Sequence, residues 1–179
     1  MAVLWPSCGR PAGSMAARYH RAMASDSPTD LFPATRPGPA VDAYPLQTQQ
    51  IALGIRQPWI ELILRGLKTL EIRTQPTNVR GPVYLYMSKT VATIPPAEAA
   101  IREHGIEWDT AGTQRLVGQV DIVGCRRTGP DDAAASALTP DLLDGLFAWE
   151  LARPVRFIEP VKPRFLPYGV WFYPFRPKR

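Results

Sequence analysis

The sequence predicts an α+β fold: a small mixed β-barrel with two or three short helices between its strands. Three observations lead there. Proline supplies 20 of the 179 residues, roughly twice its usual share of about 5%, which disfavours a helix bundle and favours short strands and loops. Apolar runs of period two recur along the chain, and the helical stretches between them are brief. The composition, 45% hydrophobic and 21% charged, supports a core and excludes both a coiled coil and an acidic disordered chain. No apolar run approaches the length of a membrane span, and the opening apolar run, broken at Pro6, is too short for a secretory signal. A cytoplasmic protein with no membrane partner is therefore expected. Cys8 and Cys125 cannot make a disulfide framework or a CxxC metal site, and His20 and His104 make no HExxH pair. No metal or other cofactor is expected.

The first 46 residues differ from the rest. Seven prolines, nine alanines, four serines and three glycines fall in the first 50 positions, and no helix or strand period appears among them. This stretch is expected to be a disordered leader, and Met15 and Met23 offer alternative starts. The folded domain is expected over 47–179. Ile51, Leu53 and Ile55 alternate with Ala52, Gly54 and Arg56 as a strand. Pro58 suits the first position of a helix that ends at Gly66, with Trp59, Leu62 and Ile63 on one apolar face. Leu70 and Ile72 then alternate with Thr69, Glu71 and Arg73. Val83–Met87 is β-rich and ends at Ser88-Lys89. Pro95–Gly105 reads as a helix, and Leu116–Cys125 is the clearest central strand. A helical turn is expected near Pro140–Leu143, with closing strands at Phe147–Leu151 and Gly169–Tyr173.

Charge is uneven. The net value is +5, and from Arg153 to Arg179 seven Lys and Arg stand against the single acid Glu159. Seven aromatic residues lie in the same stretch. Cations attract phosphates and rings stack on bases, so this composition suits a nucleic-acid surface. The plainer reading is a solvated tail whose rings fill the core.

The segment from Gln57 to Lys89 carries the most information. Gln57-Pro58-Trp59 opens a helix, Gly66-x-Lys68-x-x-Glu71-x-Arg73 follows, and Arg80-Gly81-Pro82 precedes a strand ending in Ser88-Lys89. In this order, and with Leu116–Asp121 and Phe147–Leu151 downstream, the chain resembles the ASCH domain family, whose barrel is PUA-like. The resemblance implies a cleft lined by the GxKxxExR residues that holds nucleic acid or a nucleoside. RNA is expected in preference to DNA, with a nucleotide-like ligand as the other partner class; no protein partner is legible. The candidate ligand-binding residues are Lys68, Glu71, Arg73, Arg80, Ser88 and Lys89.

The chemistry of these residues fits independently. Lys68 and Arg73 can donate to phosphate or to base carbonyls, Arg73 with a planar fork. Glu71 can orient either cation or accept from an exocyclic amine, and the helix start offers N–H groups to an anion. The plainer reading of Glu71 and Arg73 is an ion pair on a strand surface. Trp59, Tyr84 and Tyr86 read first as packing residues.

Three functions compete: a binding module, an enzyme and a protein-binding scaffold. The enzymatic reading is a metal-independent hydrolase of RNA or of a modified nucleoside, with Lys68 and Glu71 as catalytic candidates. Some proteins similar to ASCH domains are N4-acetylcytidine amidohydrolases, and others are reported as ribonucleases. The amidohydrolase pattern matches at Lys68, but it carries threonine where this chain has Glu71. Binding is the favoured reading.

Overall fold

In a computed structural model, residues 40–43, 46–107 and 113–176 are described. Seven strands and three short α-helices follow one another. They are β1 (Ala40–Val41), β2 (Ala52–Gln57), α1 (Trp59–Leu64), β3 (Leu70–Arg73), β4 (Gly81–Val91), α2 (Pro95–Glu103), β5 (Leu116–Arg127), α3 (Ala133–Ser136), β6 (Phe147–Val161) and β7 (Trp171–Phe172). All strands join one mixed sheet in the order β1-β6-β5-β4-β2-β7, and β3 pairs with β6. The β2–β4 and β1–β6 pairs are parallel and the remaining pairs antiparallel.

The α+β class is as expected. Barrel closure is not seen among the described residues, because the hydrogen-bonded path ends at β1 and β7. Two further differences concern strand ends. Ala40 and Val41, inside the stretch expected to be leader, pair with Arg156 and Phe157 of β6. Val41, Ala43 and Leu46 also pack on buried side chains of the sheet, so ordered structure starts upstream of Gln47. The rest of the leader, residues 1–39, lies outside the described residues. The strand expected at Phe147–Leu151 runs on for ten more residues, to Val161. It passes Pro154 through a bulge: Ala152 pairs with Asp121 and Val155 with Gln119, leaving Arg153 and Pro154 opposite one residue. Arg153 takes φ 51° there, and an extra residue of this kind frees proline from a ladder bond it cannot donate.

Strand alternation sends side chains into two apolar clusters. Leu53 and Ile55 of β2, Val83, Leu85 and Met87 of β4, and Val117, Val120 and Ile122 of β5 join α1 in the larger one. Ala52, Tyr84, Tyr86, Leu116, Phe157 and Phe172 form the smaller, aromatic one. Tyr84 and Tyr86 are thus packing residues, with Tyr86 edge-on to Phe172 at 5.1 Å between ring centroids. Every residue of α1 is buried, more than the single apolar face predicts. The reason is Glu61, whose Oε1 accepts from Arg65 Nε and Arg156 Nη2, both at 2.7 Å, so the polar side of the helix is covered by paired charges.

Gly118 of β5 lets α1 and β6 approach this closely. A Cβ there would meet the Val155 carbonyl and lie 2.7 Å from Leu64 Cδ2. We expect Gly118→Ala to lower stability by about 1–3 kcal/mol in denaturant titration, the usual range for overpacking. Gly129→Ala is the control, since a Cβ at Gly129 meets nothing within 4 Å. Equal stability of the two variants would show that the β5–α1 contact yields freely.

Candidate functional site

The chain reverses sharply after α1. Gly66 takes φ 72°, a left-handed conformation that glycine adopts without steric cost. Leu67 N and Lys68 N both donate to Leu62 O, at 2.9 and 3.1 Å. This turn points Lys68 inward, leaving 3% of its side chain exposed. Its Nζ donates to Leu70 O at 2.7 Å and to Ser136 O at 2.6 Å, and it lies 5.4 Å from the centre of the Trp59 ring.

Helix α3 presents that second carbonyl. Ala137 takes φ 56°, and Leu138 N donates back to Ala133 O while Ala137 N donates to Ala134 O. This is the bonding of a Schellman cap. The two remaining carbonyls point to the strand entry: Ala135 O accepts from Thr69 N at 2.9 Å and Ser136 O from Lys68. The segment carrying α3 is clamped to the sheet by Arg126, whose Nη1 and Nη2 donate to the two carboxylate oxygens of Asp132 at 2.7 Å. The Arg126 guanidinium holds the Asp132 carboxyl below the usual aspartate range. Arg126 Nε also reaches Glu150 Oε1 at 3.0 Å.

Glu71 stands between two cations. Its Oε2 is 3.6 Å from Lys68 Nζ and its Oε1 2.9 Å from Arg73 Nη2. Arg73 Nη2 also donates to Gly54 O at 3.0 Å, whereas its buried Nε has no protein partner. Burial pushes Lys68 below the ordinary lysine value of 10.5; Glu71 opposes that shift and the Arg73 charge adds to it. Two cations thus share one carboxylate, and the cluster keeps one positive charge when all three groups are ionised.

The cluster lines an open cleft of about 280 Å³. Gly54, Ile55 and Arg56 of β2, with Trp59, form one side, and Leu138, Leu142 and Leu146 the other. Of the sequence-predicted site residues, Lys68, Glu71 and Arg73 are brought together at this cleft. The sequence reading does not anticipate the leucine wall or the Gly54 and Ser136 carbonyls, because backbone acceptors carry no residue signature. Arg80, Ser88 and Lys89 are not among the lining residues. Arg80 is turned to the carbonyls of Thr77 and Val79, and Ser88 shares its side of β4 with Tyr86 by alternation.

The ASCH domain family model matches residues 53–161. This chain belongs to the ASCH domain family. The match spans β2 to the end of β6 and includes all three cluster residues. Among solved structures, the chain is similar to a crystal structure of a mutant of the ZmASCH protein from Zymomonas mobilis. That similarity has a TM-score of 0.45 and 14% identity, and covers 69% of this chain and 88% of that one. No curated protein matches the chain. Among the described residues of this ASCH domain, no helix is long and apolar enough to cross a membrane, and no cluster of His, Cys, Asp or Glu is placed to hold a metal ion.

Glu71→Gln tests the electrostatics of the cluster. Removing one partner of a buried ion pair costs about 3–5 kcal/mol. In the variant, Lys68 loses the charge that raises its pKa, so the folded-state value falls further below that of the unfolded chain. The unfolded chain then binds more protons in between, and stability rises with pH across that window. The deficit against the parent should therefore be largest near neutral pH and shrink towards pH 10.5, the ordinary lysine value. Urea titrations across that range measure it, and a pH-independent deficit would place the loss in packing instead.

Proposed function

We propose that this ASCH domain binds nucleic acid, RNA in preference to DNA, or a nucleotide-like ligand, in the cleft lined by Lys68, Glu71 and Arg73. One observation carries the reading: two buried or half-buried cations share a single carboxylate at the wall of an open cleft. Buried charge is costly unless compensated, and an anion entering the cleft supplies the missing negative charge. Arg73 offers a planar donor fork suited to phosphate or to a base edge, and Trp59 and the leucine wall offer apolar surface to a ring. The family resemblance points to the same ligand class. Arg80, Ser88 and Lys89 drop out of the proposed site because they do not line the cleft.

Binding of short RNA, the matching DNA and a panel of nucleotides, followed at several salt concentrations, tests the reading. Lys68→Met and Arg73→Met should each weaken binding by about 10- to 100-fold, the range for losing a hydrogen bond to a charged group. The pH dependence has a definite sign. Parent affinity is highest where Lys68 is protonated and falls as pH rises through its lowered folded-state value. Lys68→Met should lack this fall. Parent-like binding by both variants would remove the cleft from consideration.

A hydrolase acting on RNA or on a modified nucleoside such as N4-acetylcytidine is the second reading, and the depressed Lys68 pKa favours it, since a neutral amine can act as a base or nucleophile. Incubating RNA or N4-acetylcytidine with the parent and with Lys68→Met separates the two. Product formed by the parent and lost in the variant would establish catalysis.

A further inference from the structure

A second cavity, of about 350 Å³, lies outside the segment matched to the family and is built mainly by the C-terminal arm. Its lining includes Phe165, Tyr168, Trp171, Tyr173 and Arg176, with Ile51 from the start of β2. The arm is held in shape by its own bonds. Arg164 N and Phe165 N both donate to Pro174 O, at 2.9 and 3.0 Å, and Gly54 N donates to Val170 O at 2.9 Å. Cations lie against the rings: the Arg176 guanidinium carbon is 3.8 Å from the centre of Tyr173, and that of Arg164 is 5.4 Å from Phe165. Arg176 is further anchored to Gln49 Oε1 at 2.8 Å. Tyr168 is 96% exposed, so its ring contributes little to the core.

Two features select the occupant. No acidic residue lines the cavity, and two guanidinium groups, those of Arg164 and Arg176, lie against its rings. Rings flanked by guanidinium groups fit a planar ring that carries negative charge beside it. The cavity is also joined to the cleft by stacked side chains. Trp171 stacks on Trp149 with centroids 5.2 Å apart and planes 11° apart, and the Arg73 guanidinium carbon lies 5.6 Å from the Trp149 ring.

We propose that this cavity takes an unstacked base of a single-stranded nucleic acid whose neighbouring phosphate or base occupies the Lys68–Arg73 cleft. The proposal rests on the reading that the cleft binds nucleic acid, and it narrows the ligand from a nucleotide to a strand. A duplex is excluded because its bases present only edges, whereas this cavity presents ring faces to stack on. Base–aromatic stacking is tolerant of sequence, so the cavity contributes length dependence rather than base selection.

The test uses the full chain and three probes: a fluorescein-labelled single-stranded RNA of about ten nucleotides, a length typical of such grooves, the same RNA annealed to its complement, and a mononucleotide. Tyr168→Ala and Arg176→Ala should each weaken the single strand by about 5- to 100-fold, the span expected for losing one stacked base. Mononucleotide affinity should stay at the parent value in both, and Arg73→Met should weaken the strand and the mononucleotide alike. The parent should bind the duplex more weakly than the single strand. Parent-like strand binding by Tyr168→Ala, or equal binding of duplex and single strand, overturns the cavity proposal and leaves the cleft reading in place. A parent that binds neither strand nor mononucleotide overturns both readings.

Discussion

The Lys68 ammonium ties together helix α3, the entry to β3 and the Glu71–Arg73 pair. Helix α3 is four residues long, far too short to persist alone. It survives because each of its carbonyls is met. Leu138 N and Ala137 N close the first two, and Thr69 N and Lys68 Nζ take the last two. The same Nζ reaches Leu70 O, fixing the strand that carries Glu71 and Arg73. A buried ammonium is costly, and Glu71 offsets part of that cost. The cation that completes a helix end thus also belongs to the charged cluster at the cleft, where two cations share one carboxylate.

The opposite wall depends on a second charged contact. Arg126 binds Asp132 with two parallel hydrogen bonds and reaches Glu150 on the neighbouring strand. This fork holds the start of the 130–146 segment against β5 and β6. Thr128 Oγ1 donates to the Leu143 and Leu146 carbonyls and holds its far end. Leu138, Leu142 and Leu146 are therefore mounted on a segment pinned at both ends and capped by Lys68 in the middle. Such a wall favours a cleft of set width.

Much of this was legible in the sequence, and the reasons divide cleanly. Gly66, Gly105 and the alternations at Leu53–Ile55 and Leu70–Arg73 are local signals, and the elements they mark appear where expected. Gly66-x-Lys68-x-x-Glu71-x-Arg73 pointed to a cluster, and the three charged residues do converge. Local signals do not report what covers a face. The plainer reading of Glu71 was a surface ion pair, whereas it is buried where β3 pairs with β6 beside α3. Ser88 and Lys89, expected to end a strand, lie within β4, which runs on to Val91, and neither lines the cleft. The parallel pairing of Ala40–Val41 with β6 joins residues more than a hundred positions apart, and a two-residue strand carries no period to detect.

The tryptophans show where sequence reading and geometry part most clearly. Trp149 falls in the segment read as a closing strand, and its indole N–H donates to a backbone carbonyl, Gln75 O, at 3.0 Å. The Arg73 guanidinium carbon lies 5.6 Å from the ring centre, and Trp171 packs flat on the ring. A guanidinium near an aromatic face is held by the ring's quadrupole as well as by its carboxylate partner. The position of Arg73 therefore depends on Glu71 from one direction and on the C-terminal arm, through two indole rings, from another. Displacing Trp171 would withdraw support from Trp149 and loosen Arg73. In this chain the arm beyond the family-matched segment is part of the mechanical support of the cleft.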